Sequence, residues 1–165
     1  ILDPKAQIPW YEELQDSKAL SPTQREGLSS LITKAAISIG IGESEAKEID
    51  ALGIVQATRN AMTRAVNGLA VQPDHLLVDA MPLPESGLPF RALIKGDALC
   101  RSIAAASIVA KVARDQRMFK EDAAYPDYGF ARHKGYATRE HLEQLGRLGP
   151  CPLHRRSFAP LRTLI

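Results

Sequence analysis

The sequence predicts an α/β domain, and three observations carry that prediction. Two short apolar runs, His75–Asp79 and Phe90–Ile94, read as strands on either side of a Pro- and Gly-rich turn. Stretches with helical spacing lie before and after them, so strands and helices alternate. The composition over 165 residues, 45% hydrophobic and 24% charged, is that of an ordinary globular domain with a real core.

The elements follow in chain order. Ile1-Leu2-Asp3-Pro4 opens without an initiator Met and reads as the end of a strand whose beginning is absent. Residues 5–20 are irregular, with Pro9, Trp10 and the tripeptide Asp16-Ser17-Lys18. A helix starts at Ser21, because Pro22 suits the first helical position and Gln24 completes a capping box; it should run to about Ala35. Ala36–Gly42 alternates apolar with small or polar residues, which is strand-like. Ser44 is placed to cap a short helix to Ile49. A longer helix over Ile54–Leu69 would align Ile54, Thr58, Ala61, Met62, Ala65 and Leu69 on one face.

Pro73 ends that stretch. His75–Asp79 then closes a buried strand on an acid, Pro82–Pro89 turns, and Phe90–Ile94 forms the second strand before Lys95-Gly96-Asp97. The clearest helix covers about Ser102–Lys120, where Ala104-Ala105-Ala106 permits close packing. A loop over Tyr125–Thr138, a helix over Arg139–Leu148 and an irregular tail over Gly149–Phe158 complete the chain.

Several classes are disfavoured. No apolar run approaches the roughly 18 residues that cross a bilayer, and no secretory signal is visible. Cys100 and Cys151 form no CxxC pair, so a reducing cytoplasm is the expected compartment. The net charge of +2 hides an asymmetry: residues 1–90 hold 7 Lys+Arg against 12 Asp+Glu, and residues 91–165 hold 14 against 7. From charge alone, a polyanion-binding face and an ordinary solvated surface both fit.

Asp79 sits where open α/β sheets place ligand-binding groups, at the C-terminal end of a strand, although a solvated loop acid would look the same. Asp115 follows Lys111 by four residues and Ile108 by seven, beside the packed stripe of its helix. It is either a site acid or a surface acid paired with a neighbouring cation. Carboxylates on different elements suit Mg²⁺, but a two-ion centre needs more than two. Arg132-His133-Lys134-Gly135-Tyr136-Ala137-Thr138 brings cations, a flexible Gly and an aromatic ring together, which suits a nucleic-acid strand. Leu153-His154-Arg155-Arg156-Ser157-Phe158 is a second basic cluster and reads equally as a solvated tail. His133, His141 and His154 show no metal-binding spacing, and His141 is expected to be structural.

Taken in order, these fragments resemble one family. Asp16-Ser17-Lys18, Leu76-Leu77-Val78-Asp79, Lys95-Gly96-Asp97, the run Ser102 to Asp115, Tyr125-Pro126-Asp127-Tyr128-Gly129-Phe130, His133-Lys134-Gly135-Tyr136 and His154-Arg155-Arg156-Ser157-Phe158 are similar to bacterial ribonuclease HII along essentially the whole chain. The resemblance implies a ribonuclease H-like mixed sheet flanked by helices, with a helical C-terminal extension. Residues 1–165 would form one domain, with the core over about 1–120 and a substrate-binding region over about 121–165. It implies hydrolysis of the RNA strand of RNA–DNA hybrids and cleavage 5′ of single ribonucleotides embedded in duplex DNA, with Mg²⁺ or Mn²⁺ held by four acids. That activity belongs to DNA replication and repair.

Two of those acids match Asp79 and Asp115. Tyr136 matches the tyrosine that senses the RNA-to-DNA junction. Lys18 matches a position near the substrate backbone, while Lys134 and Arg155 are expected to meet phosphates and Asp97 to act as a loop or helix-capping acid. The family's Asp-Glu-Ala-Gly-Arg-Gly motif, which supplies the other two acids and reads the ribose 2′-OH, does not occur in these residues. The expectation is therefore a chain lacking most of its first strand and inactive or nearly so. It would be a monomer in the cytoplasm, with no membrane association. A non-catalytic duplex-binding protein and a related nuclease acting on DNA junctions are the alternatives.

Overall fold

The structure is a computed structural model that describes residues 1–6, 8–159 and 161. Gln7, in the stretch expected to be irregular, lies outside the described residues. The chain falls into two compact units. One comprises Ile1–Glu43 and Thr58–Val112; the other comprises Ser44–Ala57 and Ala113–Ile165.

In the first unit, α1 (Pro22–Ala35) begins as the capping box requires. Ser21 Oγ accepts from the Gln24 backbone N–H and the Gln24 side chain accepts from the Ser21 N–H, leaving two fewer orphan donors at the helix start. Its inner face buries Leu28 and Ile32. The run before it holds a 3₁₀ turn at Pro9–Glu13.

Ala36–Gly42 is not a strand. Its glycines lie against the backbone of α2 (Ala46–Asn67): a Cβ on Gly40 would stand 1.9 Å from the Ala65 carbonyl oxygen, and one on Gly42 2.0 Å from that of Ala61. The alternation therefore reflects close backbone approach to a helix rather than a pleat. Only fragmentary ladder-like bonding occurs here, with the Ile1 amino group donating to Ser38 O at 2.8 Å and Ile37 N–H to Ile1 O at 2.9 Å.

The two helices expected between Ser44 and Leu69 run on as α2, broken at Gly53, whose φ of 78° only glycine adopts readily. Ser44 does not cap it in the expected way; its Oγ donates to Ala57 O at 2.7 Å. Ala57 is the buried position of α2, and Ile54, expected on the inner face, is exposed.

The sheet among the described residues is a parallel pair, β1 (Leu76–Asp79) and β2 (Phe90–Leu93), in register from Leu76 opposite Phe90 to Asp79 opposite Leu93. The turn between them carries a 3₁₀ segment at Pro84–Ser86. The run expected to be buried is only partly so: Val78 is buried, while Leu77 on the opposite face is 44% exposed. A two-stranded sheet has one covered face here, which is why β1 does not behave as an interior strand. A short helix, α3 (Gly96–Leu99), packs against both strands.

The core of this unit is the start of α4 (Arg101–Ala124). Ala104, Ala105 and Ile108 pack with Leu14, Leu20, Leu28 and Ile32. Of the alanine run expected to permit close packing, Ala104 and Ala105 are buried in this core and Ala106 is exposed.

In the second unit the remainder of α4 leads to a 3₁₀ turn (Pro126–Tyr128), a four-residue helix α5 (Phe130–His133) and α6 (Arg139–Leu148). Thr138 caps α6 by accepting from His141 N–H. The core is aromatic: Tyr128 and Phe130 stack at 5.3 Å with Cys151, Met118, Tyr125 and Leu153 around them. No helix among the described residues is long and apolar enough to cross a membrane.

Candidate functional site

Asp79 ends β1, and its placement depends on the Lys95-Gly96-Asp97 turn. Gly96 N–H donates to Asp79 Oδ1 at 2.8 Å. Gly96 is buried, and a Cβ there would stand 2.6 Å from Ile103 Cδ1, 3.3 Å from Leu93 Cβ and 3.4 Å from Asp79 Oδ1. Lys95 takes the left-handed conformation (φ 56°) so that the chain can enter α3 in one step. Lys95, not Asp97, is the cap position. Asp97 lies inside the first turn of α3, where a carboxylate meets the positive end of the helix. Asp79 thus projects an exposed carboxylate with one oxygen oriented by the backbone.

The Asp16-Ser17-Lys18 tripeptide lies in the same unit. Asp16 Oδ1 accepts from Lys18 N–H at 2.9 Å, forming an Asx turn. Ser17 is buried and its hydroxyl pairs with that of Ser107 on α4 at 2.9 Å. Two ordinary residues therefore fix the turn, and the Lys18 side chain stays exposed.

The second unit gathers Asp115, Arg114, Lys134 and Tyr136. Asp115 is half-buried on α4, with its Oδ1 3.6 Å from Arg114 Nη1. The Arg114 guanidinium lies over the Tyr136 ring, 4.9 Å from its centroid. Tyr136 is 54% exposed, and the cation lies over its ring. The loop reaches this position through two consecutive left-handed residues, Lys134 (φ 51°) and Gly135 (φ 77°). Lys134 Nζ turns back to donate to Ala131 O at 2.6 Å and lies 5.6 Å from the Phe119 ring centre.

Arg155 stacks over Phe158 at 4.3 Å in the same unit. Its segment is held by Asp50, which accepts from Arg156 N–H, Ser157 N–H and Ser157 Oγ at 2.9, 3.0 and 2.6 Å. Those hydrogen bonds, the Ser157 hydroxyl foremost, hold the Asp50 carboxyl below its ordinary value. The histidines that spacing leaves unconnected do come together: His133, His141 and His154 share one cluster, and His141, on α6, is buried.

The structure thus places Asp79 and Lys18 in the first unit and Asp115, Lys134, Tyr136 and Arg155 in the second. Sequence reasoning missed Arg114 and Gly96 as supports of Tyr136 and Asp79. The signal for both was adjacency: each lies next to, or within, a motif already singled out. Asp79 and Asp115 are hard oxygen donors of the kind Mg²⁺ and Mn²⁺ take. No three His, Cys, Asp or Glu side chains among the described residues converge to hold a metal ion. Each aspartate is therefore chemically suited to such an ion, and neither forms an ion cage within its own unit.

Comparison with known proteins bears on this arrangement. A family model described as ribonuclease HII matches residues 5–161. The chain is 49% identical over 165 residues to a ribonuclease HII of Dehalococcoides mccartyi, covering all of this chain and 78% of that one. It is 55% identical over 152 residues to a ribonuclease HII of Geobacillus kaustophilus, covering 92% of this chain and 58% of the relative. For several such relatives the chain spans a little over half their length. In structure it is similar to the ribonuclease H2 of Pyrococcus horikoshii OT3, with a TM-score of 0.74 and 26% identity over 99% of this chain and 85% of that one.

Proposed function

Because this chain belongs to the ribonuclease HII family, a family of ribonuclease H hydrolases with an α/β ribonuclease H-like fold, we propose that it hydrolyses the RNA strand of RNA–DNA hybrids and cuts 5′ of single ribonucleotides in duplex DNA. The observation that carries this reading is the family match over residues 5–161, which takes in every motif from Asp16-Ser17-Lys18 to His154-Arg155-Arg156-Ser157-Phe158.

Asp79 and Asp115 are the proposed catalytic carboxylates and ligands of Mg²⁺ or Mn²⁺. A bound divalent ion would supply charge neutralisation at the phosphate and a more acidic water. The chain's own part is to hold the carboxylates in place. Gly96 N–H does so for Asp79, and the Arg114 guanidinium lies beside Asp115. Tyr136 offers an exposed ring, backed by Arg114, against the sugar on the DNA side of the junction. Lys18, Lys134 and Arg155 are proposed to meet backbone phosphates, which makes binding salt-sensitive. The C-terminal region, about 121–165, is the proposed substrate-binding part, within a monomer. Free Cys100 and Cys151 support a reducing, cytoplasmic setting.

Residues 1–165 alone contain no Asp-Glu-Ala-Gly-Arg-Gly sequence. We therefore propose that they bind duplex but turn it over poorly or not at all.

The test of substrate class is a set of end-labelled duplexes carrying one ribonucleotide, a ribonucleotide run, or none, cut by the chain with Asp-Glu-Ala-Gly-Arg-Gly supplied upstream. The expected product ends 5′ of the ribonucleotide and disappears in Asp79→Asn. Cutting of the all-DNA duplex at equal rate would reject the proposal.

A further inference from the structure

Three imidazoles, contributed by α5, α6 and the tail, lie together beneath the Tyr136 loop. His133 and His141 stack with ring centres 4.1 Å apart and planes within 12°. His141 Nε2 lies 3.1 Å from His154 Nε2. The Phe130 ring borders all three, 5.7 Å from each.

Neighbouring backbone groups fix the tautomers of His133 and His141, because a carbonyl can only accept and an N–H can only donate. His133 Nε2 faces Tyr128 O at 2.7 Å, so it carries the proton; its Nδ1 then accepts from Gly135 N–H at 3.1 Å. His141 Nδ1 faces Tyr136 O at 2.9 Å, so it carries the proton and its Nε2 is a lone pair. His154 Nδ1 lies 3.0 Å from Cys151 N and 3.3 Å from Cys151 O, so its own backbone neighbours leave either tautomer. The His141 Nε2 lone pair, 3.1 Å from His154 Nε2, sets the proton on Nε2 and leaves Nδ1 to accept the shorter Cys151 N–H contact. The thiol of Cys151 is a second donor to the same Nδ1, at 3.1 Å. His154 Nε2–H then points at the His141 Nε2 lone pair, and the Nδ1 of His154 accepts on the Cys151 side.

We infer that His133 and His141 are positioning residues for the Tyr136 loop, His141 as the last imidazole of a neutral relay that runs from Cys151 through His154 to the Tyr136 carbonyl and His133 as the separate holder of Gly135. This rests on the reading of Tyr136 as a substrate-contacting residue. Gly135 N–H and Tyr136 O, the backbone groups flanking the loop tip, are each held by one ring of the stacked pair. A second proton on His141 would set two N–H groups against each other at the His154 contact. A second proton on His133 would do the same against Gly135.

The surroundings agree. Burial, with His133 nearby, pushes His141 below the ordinary histidine value of 6.5 despite the Tyr136 bond; burial and the neighbouring imidazoles do the same for His154. Burial pushes the Cys151 thiol up, so it stays a donor, and burial likewise raises Tyr128. The nearby charges are Glu140, tied to Arg132 and facing His133, and Glu121, whose field reaches Cys151. The cluster is not a metal cage, since its lone pairs face N–H donors rather than a common point.

The experiment is long-range ¹H–¹⁵N correlation of the imidazoles in the ligand-free chain near neutral pH, with exposed His75 as an assigned reference outside the cluster. The expected pattern is the less common Nδ1–H tautomer for His141 and the Nε2–H tautomer for His133 and His154. An Nε2–H tautomer or a cationic ring at His141 overturns the relay.

Positioning is read separately, from backbone order parameters of Gly135 and Tyr136. His141→Phe keeps the stack and should lower them. His141→Asn, whose amide can still reach Tyr136 O, should restore them. Duplex binding in His141→Phe should weaken about fivefold to tenfold, the loss of one net hydrogen bond. An ordered loop with unchanged affinity in His141→Phe overturns positioning. If the tautomers and loop order come out as expected but no ribonucleotide-containing duplex binds, the relay stands and the proposed function fails.

Discussion

The guanidinium of Arg114 lies 4.9 Å from the centre of the Tyr136 ring, while Nη1 of the same group is 3.6 Å from Asp115 Oδ1. One cation therefore touches both a proposed metal ligand and the proposed junction sensor. Removing it should affect recognition more than stability, because exposed cation–π and ion pairs contribute only about 0.5–1 kcal/mol each. Arg114→Ala is expected to weaken binding of a ribonucleotide-containing duplex several-fold while leaving the melting temperature within a few degrees. Fluorescence anisotropy with matched duplexes checks this; unchanged affinity would count against the role given to Tyr136.

Asp79 is aimed by Gly96, so side chains at position 96 should act on both the fold and the site. The 2.6 Å approach is to the flexible end of Ile103, which gives way, whereas Leu93 Cβ and the carboxylate have less freedom. Gly96→Val should cost about 1–3 kcal/mol, the usual range for overpacking, and should lower activity in the catalytically complete chain beyond what the stability loss explains. Thermal melts paired with cleavage rates separate the two.

Gly40 and Gly42 admit no side chain because helix backbone fills the space. Gly40→Ala would press a methyl against the Ala65 carbonyl and should destabilise the first unit by about 3 kcal/mol or more. Gly27→Ala, in the exposed middle of α1 with open space around it, should instead be neutral or stabilising by about 0.5–1 kcal/mol. Denaturant titration of the pair tests whether close approach is the reason for the glycines.

The tail beside Arg155 should respond to acid. Asp50 has its carboxyl held low by Ser157 and Arg156, so the folded state binds that proton less readily than the unfolded chain. Stability from this contact is therefore complete above the ordinary carboxylate value of 3.8 and fades as pH falls through the depressed one. Amide exchange at Arg156 and Ser157 should accelerate over that window. In Asp50→Ala it should be fast already at neutral pH, and equal protection in the variant would remove Asp50 as the anchor.

Much of this was legible in the sequence because the signals were local. Ser21, Pro22 and Gln24 define a helix start within four residues, and the runs ending at Asp79 and Ile94 locate the strands, the second of which stops at Leu93. Asp79, Asp115 and Tyr136 stood out through motif order. Ala36–Gly42 misled because its alternation arises from glycines pressed on α2, Gly40 on Ala65 and Gly42 on Ala61, contacts with residues distant in sequence. Arg114 and the histidine cluster were not legible for the same reason. Tyr136, His141, His154 and Cys151 meet only after α5 and α6 fold back, and the left-handed turn at Lys134 and Gly135 leaves no periodic trace.

The central claim is that these residues carry half of a ribonucleotide-directed active site. Its most direct test is cleavage of a DNA duplex with one embedded ribonucleotide, in Mg²⁺ or Mn²⁺, by residues 1–165 with and without an upstream Asp-Glu-Ala-Gly-Arg-Gly segment. The account predicts cutting 5′ of the ribonucleotide by the extended chain alone. Cleavage by residues 1–165 by themselves, abolished in Asp79→Asn, or no cleavage by a folded, duplex-binding extended chain, would contradict it.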